Sequence, residues 1–309
     1  MLQCCDNAYF HSDDKMRSLE VLKIRSIIKN MTLAHRNNVI KISLVLSFGF
    51  AIFILVLGIF LLTSKSEVLT AYTQQYISDN QITQSKIFLF AISNKILVLQ
   101  NILYPIYTFA ILLALYFLFE KTYVIEVSFF IYFAFLLSFD AFKLLVPYCN
   151  LWTFSPKLVL LISKFLYFSH FASVLLLLFA AVFILVPFTR RMFPMLFAIS
   201  FLAVAVTVLT PFNTTTLTLN FLLEDGLRNL SVFAFWFFTA AIILTYFIAG
   251  KTLNAGEYVS AAWSMLFLLA GYFFMTTTAT MLMFIAANAA FVLGVCFYLR
   301  SIHSYNLWQ

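Results

Sequence analysis

The sequence predicts an all-α fold, a polytopic transmembrane helix bundle of about eight spans with both termini cytoplasmic. Three observations predict it. Hydrophobic residues make up 63% of the 309 and charged residues only 10%, whereas soluble domains carry about one quarter charged residues. So few charges cannot build a water-facing surface. The apolar residues also fall into blocks near the ~20 residues that cross a hydrocarbon core of about 30 Å, with short polar breaks between them. Finally, Lys and Arg cluster on alternate sides of these blocks, the asymmetry that marks cytoplasmic loops.

Residues 1 to 39 form a basic, polar N-terminal segment expected in the cytoplasm. Of the 19 basic residues, 7 lie between Lys15 and Lys41, just before the first apolar block. Beside a span, such a cluster reads as a topology determinant and a contact for anionic membrane lipid. Nucleic acid is not an expected partner, because no aromatic platform accompanies the charges. Within this segment, residues 16 to 30 carry Leu19, Leu22, Ile24, Ile27 and Ile28 at roughly helical spacing, as in a helix lying on the inner leaflet.

The first span, about residues 40 to 62, is longer than a signal-peptide core and lacks a small-x-small cleavage site, so it reads as a retained signal anchor. Residues 64 to 95 then make the longest polar connection, an external segment where Tyr72, Tyr76 and Ile77 predict a short helix against the membrane. A group of seven further spans follows, at about 97 to 119, 124 to 147, 161 to 187, 192 to 209, 230 to 249, 258 to 275 and 279 to 299. Residues 40 to 309 are thus expected to form a single transmembrane domain. With the N-terminus inside, twelve basic residues face the cytoplasm and five face outward. The Arg190-Arg191 pair in a very short loop is the clearest single mark of orientation. The expected location is a plasma membrane or a bacterial inner membrane.

The four cysteines, Cys4, Cys5, Cys149 and Cys296, include no C-x-x-C, and only Cys149 is expected to face outward. No disulfide or metal site follows from that pattern. The external stretch 210 to 228 holds an Asn213-Thr214-Thr215 sequon, which matters only in a glycosylating pathway.

Ionisable residues inside spans carry the sharpest functional signal, because a charge at the bilayer centre costs at least ~2.5 kcal/mol and usually faces a partner or a wet cavity. Asp140, Lys143, Lys164 and His170 make the best group. Asp140 lies about 12 Å below the outer end of its helix at a rise of 1.5 Å per residue, and His170 sits at an overlapping depth on the next, antiparallel helix. Lys143 follows Asp140 at i+3 on the same face. A shared polar pocket is one reading; the other has Lys143 and Lys164 reaching up to the headgroups and Asp140 merely neutralised. Glu126 is left out as interfacial. Weaker marks are Gln100, Asn101 and Pro105, where proline opens a carbonyl, and a small-residue face of Ala286, Ala290 and Gly294 that suits close helix packing beside a hydrogen-bonding Asn288.

No complete catalytic motif is present. The four histidines, His11, His35, His170 and His303, are too scattered for the His-Glu-x-x-His of a zinc protease, and no Gly-x-Ser-x-Gly occurs. No cofactor and no metal is implied, and the balance is against an enzyme. The leading expectation is a non-catalytic sensor or receptor-like module, or a subunit acting through a protein partner or as a homo-oligomer. A transporter or channel using the polar site between spans three and four comes second, weakened by the lack of a visible repeat. A membrane enzyme acting on lipid comes third.

Overall fold

A computed structural model describes residues 36–79, 91–119, 124–185 and 192–307. The expected amphipathic helix at 16 to 30, Cys4, Cys5 and the Arg190-Arg191 pair lie outside them. The described chain is a helical bundle. Seven of its helices are long and apolar enough to cross a membrane, the pattern of an integral membrane protein. They are α1 (Arg36–Ser64), α3 (Asn94–Phe119), α4 (Ile125–Tyr148), α6 (Pro156–Leu185), α8 (Arg228–Thr252), α9 (Gly256–Thr277) and α10 (Met281–Leu307). Between them come α2 (Ser66–Asp79), the single turn α5 (Leu151–Phe154) and α7 (Met192–Leu209). The apolar part of α7, Pro194–Leu209, is shorter than the other seven.

Large apolar side chains cover the outside of the bundle, among them Phe197, Phe201, Phe233, Phe237 and Leu244. A surface of this kind aggregates in water and is stable only against lipid. Polar side chains, by contrast, point inward and tie helices together. Thr108 donates to the Ala134 carbonyl at 2.8 Å and Ser169 to that of Leu136 at 3.0 Å, joining α3 and α6 to α4. Asn288 of α10 donates to Gln100 at 2.8 Å and accepts from Tyr107 at 2.9 Å, which fastens α10 to α3 on both sides of Pro105.

The tightest packing joins α9 and α10. A Cβ added to Gly271 would lie 2.4 Å from the backbone nitrogen of Phe291, and one added to Gly294 would lie 2.4 Å from that of Leu268. The two helices thus press backbone against backbone through a reciprocal pair of glycines, the approach that small residues permit. Of the small-residue face read from the sequence, Gly294 is buried in this contact, Ala290 is half-buried and Ala286 is exposed.

The stretch 210 to 228, expected as a loop, contains a two-stranded antiparallel hairpin of β1 (Phe212–Leu217) and β2 (Leu223–Asp225). Its turn places Phe221 at φ 62°, a left-handed conformation unusual for an aromatic residue. Phe221 is buried there against the ring of Tyr72, whose hydroxyl donates to the Thr218 carbonyl, so α2 holds the turn down. The hairpin is pinned further by the Leu223 N–H donating to Ser163 on α6, and by Asn220 donating to the Thr276 carbonyl at the end of α9. Lys65 bonds the Tyr148 carbonyl at the same end of the bundle, and residues 92 and 280 form a bridge there. At the opposite end Arg36 donates to the Phe119 carbonyl, the His303 ring lies edge-on against Phe119, and the Tyr258 and Tyr305 rings pack at a tilt.

Candidate functional site

α4 is α-helical over Ile125–Ser138 and Leu145–Tyr148 but winds as a 3-10 helix between them, over Phe139–Leu144. Pro147 accounts for the change: it has no N–H to offer the carbonyl four residues back, at Lys143, and its ring crowds that turn. In a 3-10 helix, residues three apart lie directly above one another. Asp140 and Lys143 therefore stack, and the Lys143 ammonium sits 2.8 Å from Asp140 Oδ1. Both side chains are almost wholly buried, at 1% and 3% exposure, so Lys143 does not reach up to the headgroups. It lies over the ring of Tyr104 from α3, 5.5 Å from the centroid, where the ring face attracts a cation.

His170 of α6 completes the group. Its Nε2 is 2.6 Å from the same Asp140 oxygen, and its ring stands perpendicular to that of Tyr272 on α9 at 5.8 Å. Tyr104 and Tyr272 both lie within electrostatic reach of the carboxylate, and Ser173, one turn beyond His170, adjoins the Tyr272 hydroxyl. Four helices thus meet at one buried carboxylate. Its second oxygen, Oδ2, and the Tyr104 hydroxyl are buried without a hydrogen-bond partner among the described residues. Lys164, the fourth residue of the expected group, is half-buried on α6 and makes no ion pair with Asp140.

His170 differs from its two partners in being partly open, at 27% side-chain exposure. It faces a cavity of about 530 Å³ bounded by α6, α7, α8 and the end of α9. Helices α7 and α8 each pack on α6 but scarcely on each other, which leaves the cleft between them. Phe171, Val174, Val206, Phe235 and Phe238 line its deeper part, whereas Thr210, Ser231, Tyr167 and Thr276 lie toward the hairpin end. There Tyr167 shares a hydrogen bond of 2.9 Å with Ser231, which also donates to Asp225 of β2. One imidazole is therefore shared between an open apolar cleft and a closed ionic cluster.

Sequence reasoning missed Tyr104, Ser173 and Tyr272, which are ordinary residues in an aromatic-rich span until the fold brings them beside Asp140. It also set aside Glu126, which lies in the first turn of α4 and is buried there at 7% exposure. Tyr258 donates to Glu126 Oε1 at 3.2 Å, with the Tyr246–Tyr298 hydroxyl pair nearby on α8 and α10. The three tyrosine-bearing helices around that position, α8, α9 and α10, were the missing information. Among the described residues, no three His, Cys, Asp or Glu side chains stand close enough together to hold a metal ion. Cys149 and Cys296 are exposed free thiols. Comparisons with protein-family models, with curated proteins and with solved structures give no match for this chain.

Proposed function

We propose that this chain is a non-catalytic, receptor-like membrane module that binds a small ligand in the α7–α8 cleft and registers it through the Asp140 cluster. The observation that carries the reading is the double position of His170. A ligand in the cleft meets the imidazole directly, and the imidazole holds the carboxylate on which α3, α4, α6 and α9 converge. The cleft has the size of a small-molecule site and its chemistry, an apolar lining with few polar groups. Output from such a module passes to a protein partner or to a second copy of the chain.

The proposed topology has eight spans, counting α7, with both termini in the cytoplasm of a cell bounded by a plasma or bacterial inner membrane. Its support is that α2 and the hairpin gather at one end of the bundle, while Arg36, Lys41, Lys251 and Arg300 lie toward the other. Single cysteines at Gln74 and Thr252 in a cysteine-free background should react with an impermeant thiol reagent from opposite faces of the membrane. Reaction from one face only would end the eight-span topology.

To test the function, the wild-type protein and Val174→Trp are isolated in native-lipid nanodiscs, and the solvent extracts are compared by mass spectrometry. Val174 lines the cleft, so the indole should fill it. At least one amphiphile should fall fivefold or more in the variant, with the thermal transition retained. Identical extracts would refute the reading. A transporter, which the buried Asp140–Lys143–His170 group would also suit, would instead move protons or solute across proteoliposomes, and the receptor reading expects no flux above that of empty vesicles.

A further inference from the structure

The chemistry of the cleft narrows its ligand, given the receptor reading on which this step rests. Nε2 of His170 is committed to Asp140. Its other ring nitrogen has no hydrogen bond within the described residues and is not sealed from the cavity that the ring lines. A neutral imidazole that donates through Nε2 presents Nδ1 as an acceptor; a protonated one presents a second donor. Charge decides between ligand classes. Asp140 is already matched by Lys143, so an imidazolium at His170 would bring one uncompensated positive charge into a low-dielectric site, which is costly without a partner. One anionic group on the ligand would balance it.

The shape of the lining supplies the rest. Hydroxyls stand toward the hairpin end and apolar side chains fill the depth toward the bilayer centre, which is the polarity of a lipid standing in a leaflet. The gap between α7 and α8 lets such a molecule enter sideways without turning over. A volume of about 530 Å³ falls in the range of sites that enclose one small ligand. Asp225, the carboxylate at the rim, is already held by the Ser231 hydroxyl and the Leu227 N–H.

We propose that the α7–α8 cleft binds a single-chain carboxylic acid, with its carboxylate on His170 and its alkyl chain along Val174, Val206 and Phe238. The carboxylic proton passes to Nδ1, and no other atom is exchanged. The complex then holds an imidazolium between two carboxylates, that of Asp140 and that of the ligand, and with Lys143 the four charges sum to zero. Hydrogen bonds between ionised groups are about twice as strong as neutral ones, so the acid is favoured over an uncharged analogue of equal length.

The test uses the full chain in phosphatidylcholine nanodiscs, with radiolabelled palmitic acid and hexadecan-1-ol as probes and empty nanodiscs as the blank. Palmitic acid should bind saturably at one site per chain, at least tenfold more tightly than the alcohol. Val174→Trp should abolish binding of both. His170→Gln keeps an amide donor for Asp140 but has no basic nitrogen, and should reduce the preference for the acid to less than threefold while the thermal transition stays in place. Should that variant fail to fold, the acid-to-alcohol ratio of the wild type decides alone. Equal binding of acid and alcohol by the wild type, with both lost in Val174→Trp, would overturn the acid and leave the cleft as the ligand site. Binding of palmitic acid that Val174→Trp does not alter, or no saturable binding, would overturn the proposal.

Discussion

Lys143→Met should cost about 3–5 kcal/mol of stability, while the double change Lys143→Met with Asp140→Asn should recover much of that loss. The single change leaves Asp140 buried at 1% exposure with only His170 beside it, and an uncompensated buried charge is far more costly than a buried pair exchanged for uncharged residues. The quantity that isolates the interaction is the coupling in the double-mutant cycle, measured from unfolding in mild detergent. A cycle that sums to within about 0.5 kcal/mol would mean that the two side chains do not act on each other. The doubly neutral protein also separates structure from signalling. Under the receptor reading it folds and keeps the cleft, yet ligand binding no longer alters the packing of α4, read by the labelling rate of the natural Cys149 just beyond its end.

Gly294→Leu should destabilise the bundle by about 3 kcal/mol or more, at the upper end of what added volume costs in a packed interior. The first added carbon already falls 2.4 Å from a backbone nitrogen on α9, and backbone cannot swing aside as a side chain can. Gly271→Leu meets the same obstacle from the other helix, so the two should be alike in size. Ala286→Leu, at an exposed position on α10, serves as the control and should change stability by less than about 0.5 kcal/mol. Equal losses at Ala286 and Gly294 in thermal unfolding would place the contact on a different face of α10.

What the sequence discloses of this molecule is whatever depends on residues near one another in the chain. Runs of apolar residues determine the helices, and the three-residue spacing of Asp140 and Lys143 is enough to bring them to one face. His170 follows because a short connection makes α4 and α6 antiparallel neighbours. The unread features come from contacts between distant segments. A tyrosine on α3 or α9 looks like any other aromatic of a span until Asp140 stands beside it. Glu126 looks like a lone carboxylate at a helix end until Tyr258, on α9, covers it. The hairpin rests on a short threonine-rich strand paired with only three residues, and on Tyr72 from a segment some 140 positions earlier in the chain. The cleft has no sequence signal at all, because it exists only where α7 and α8 lean on α6 without leaning on each other.

The six-residue 3-10 stretch in α4 also has a mechanical consequence. Each 3-10 residue advances about 2.0 Å and turns 120°, against 1.5 Å and 100° in an α-helix. Phe139–Leu144 therefore makes the helix about 3 Å longer than an unbroken α-helix of the same residues, and rotates everything beyond it by about a third of a turn. Leu144, at the end of the stretch, and Val146, just beyond it, are both buried in this phase. Rewinding the stretch to α form would draw Tyr148 away from Lys65 and turn Asp140 and Lys143 from directly stacked to about 60° apart on one face. The stacking of the ion pair and the reach of α4 at the hairpin end are thus set by the same six residues.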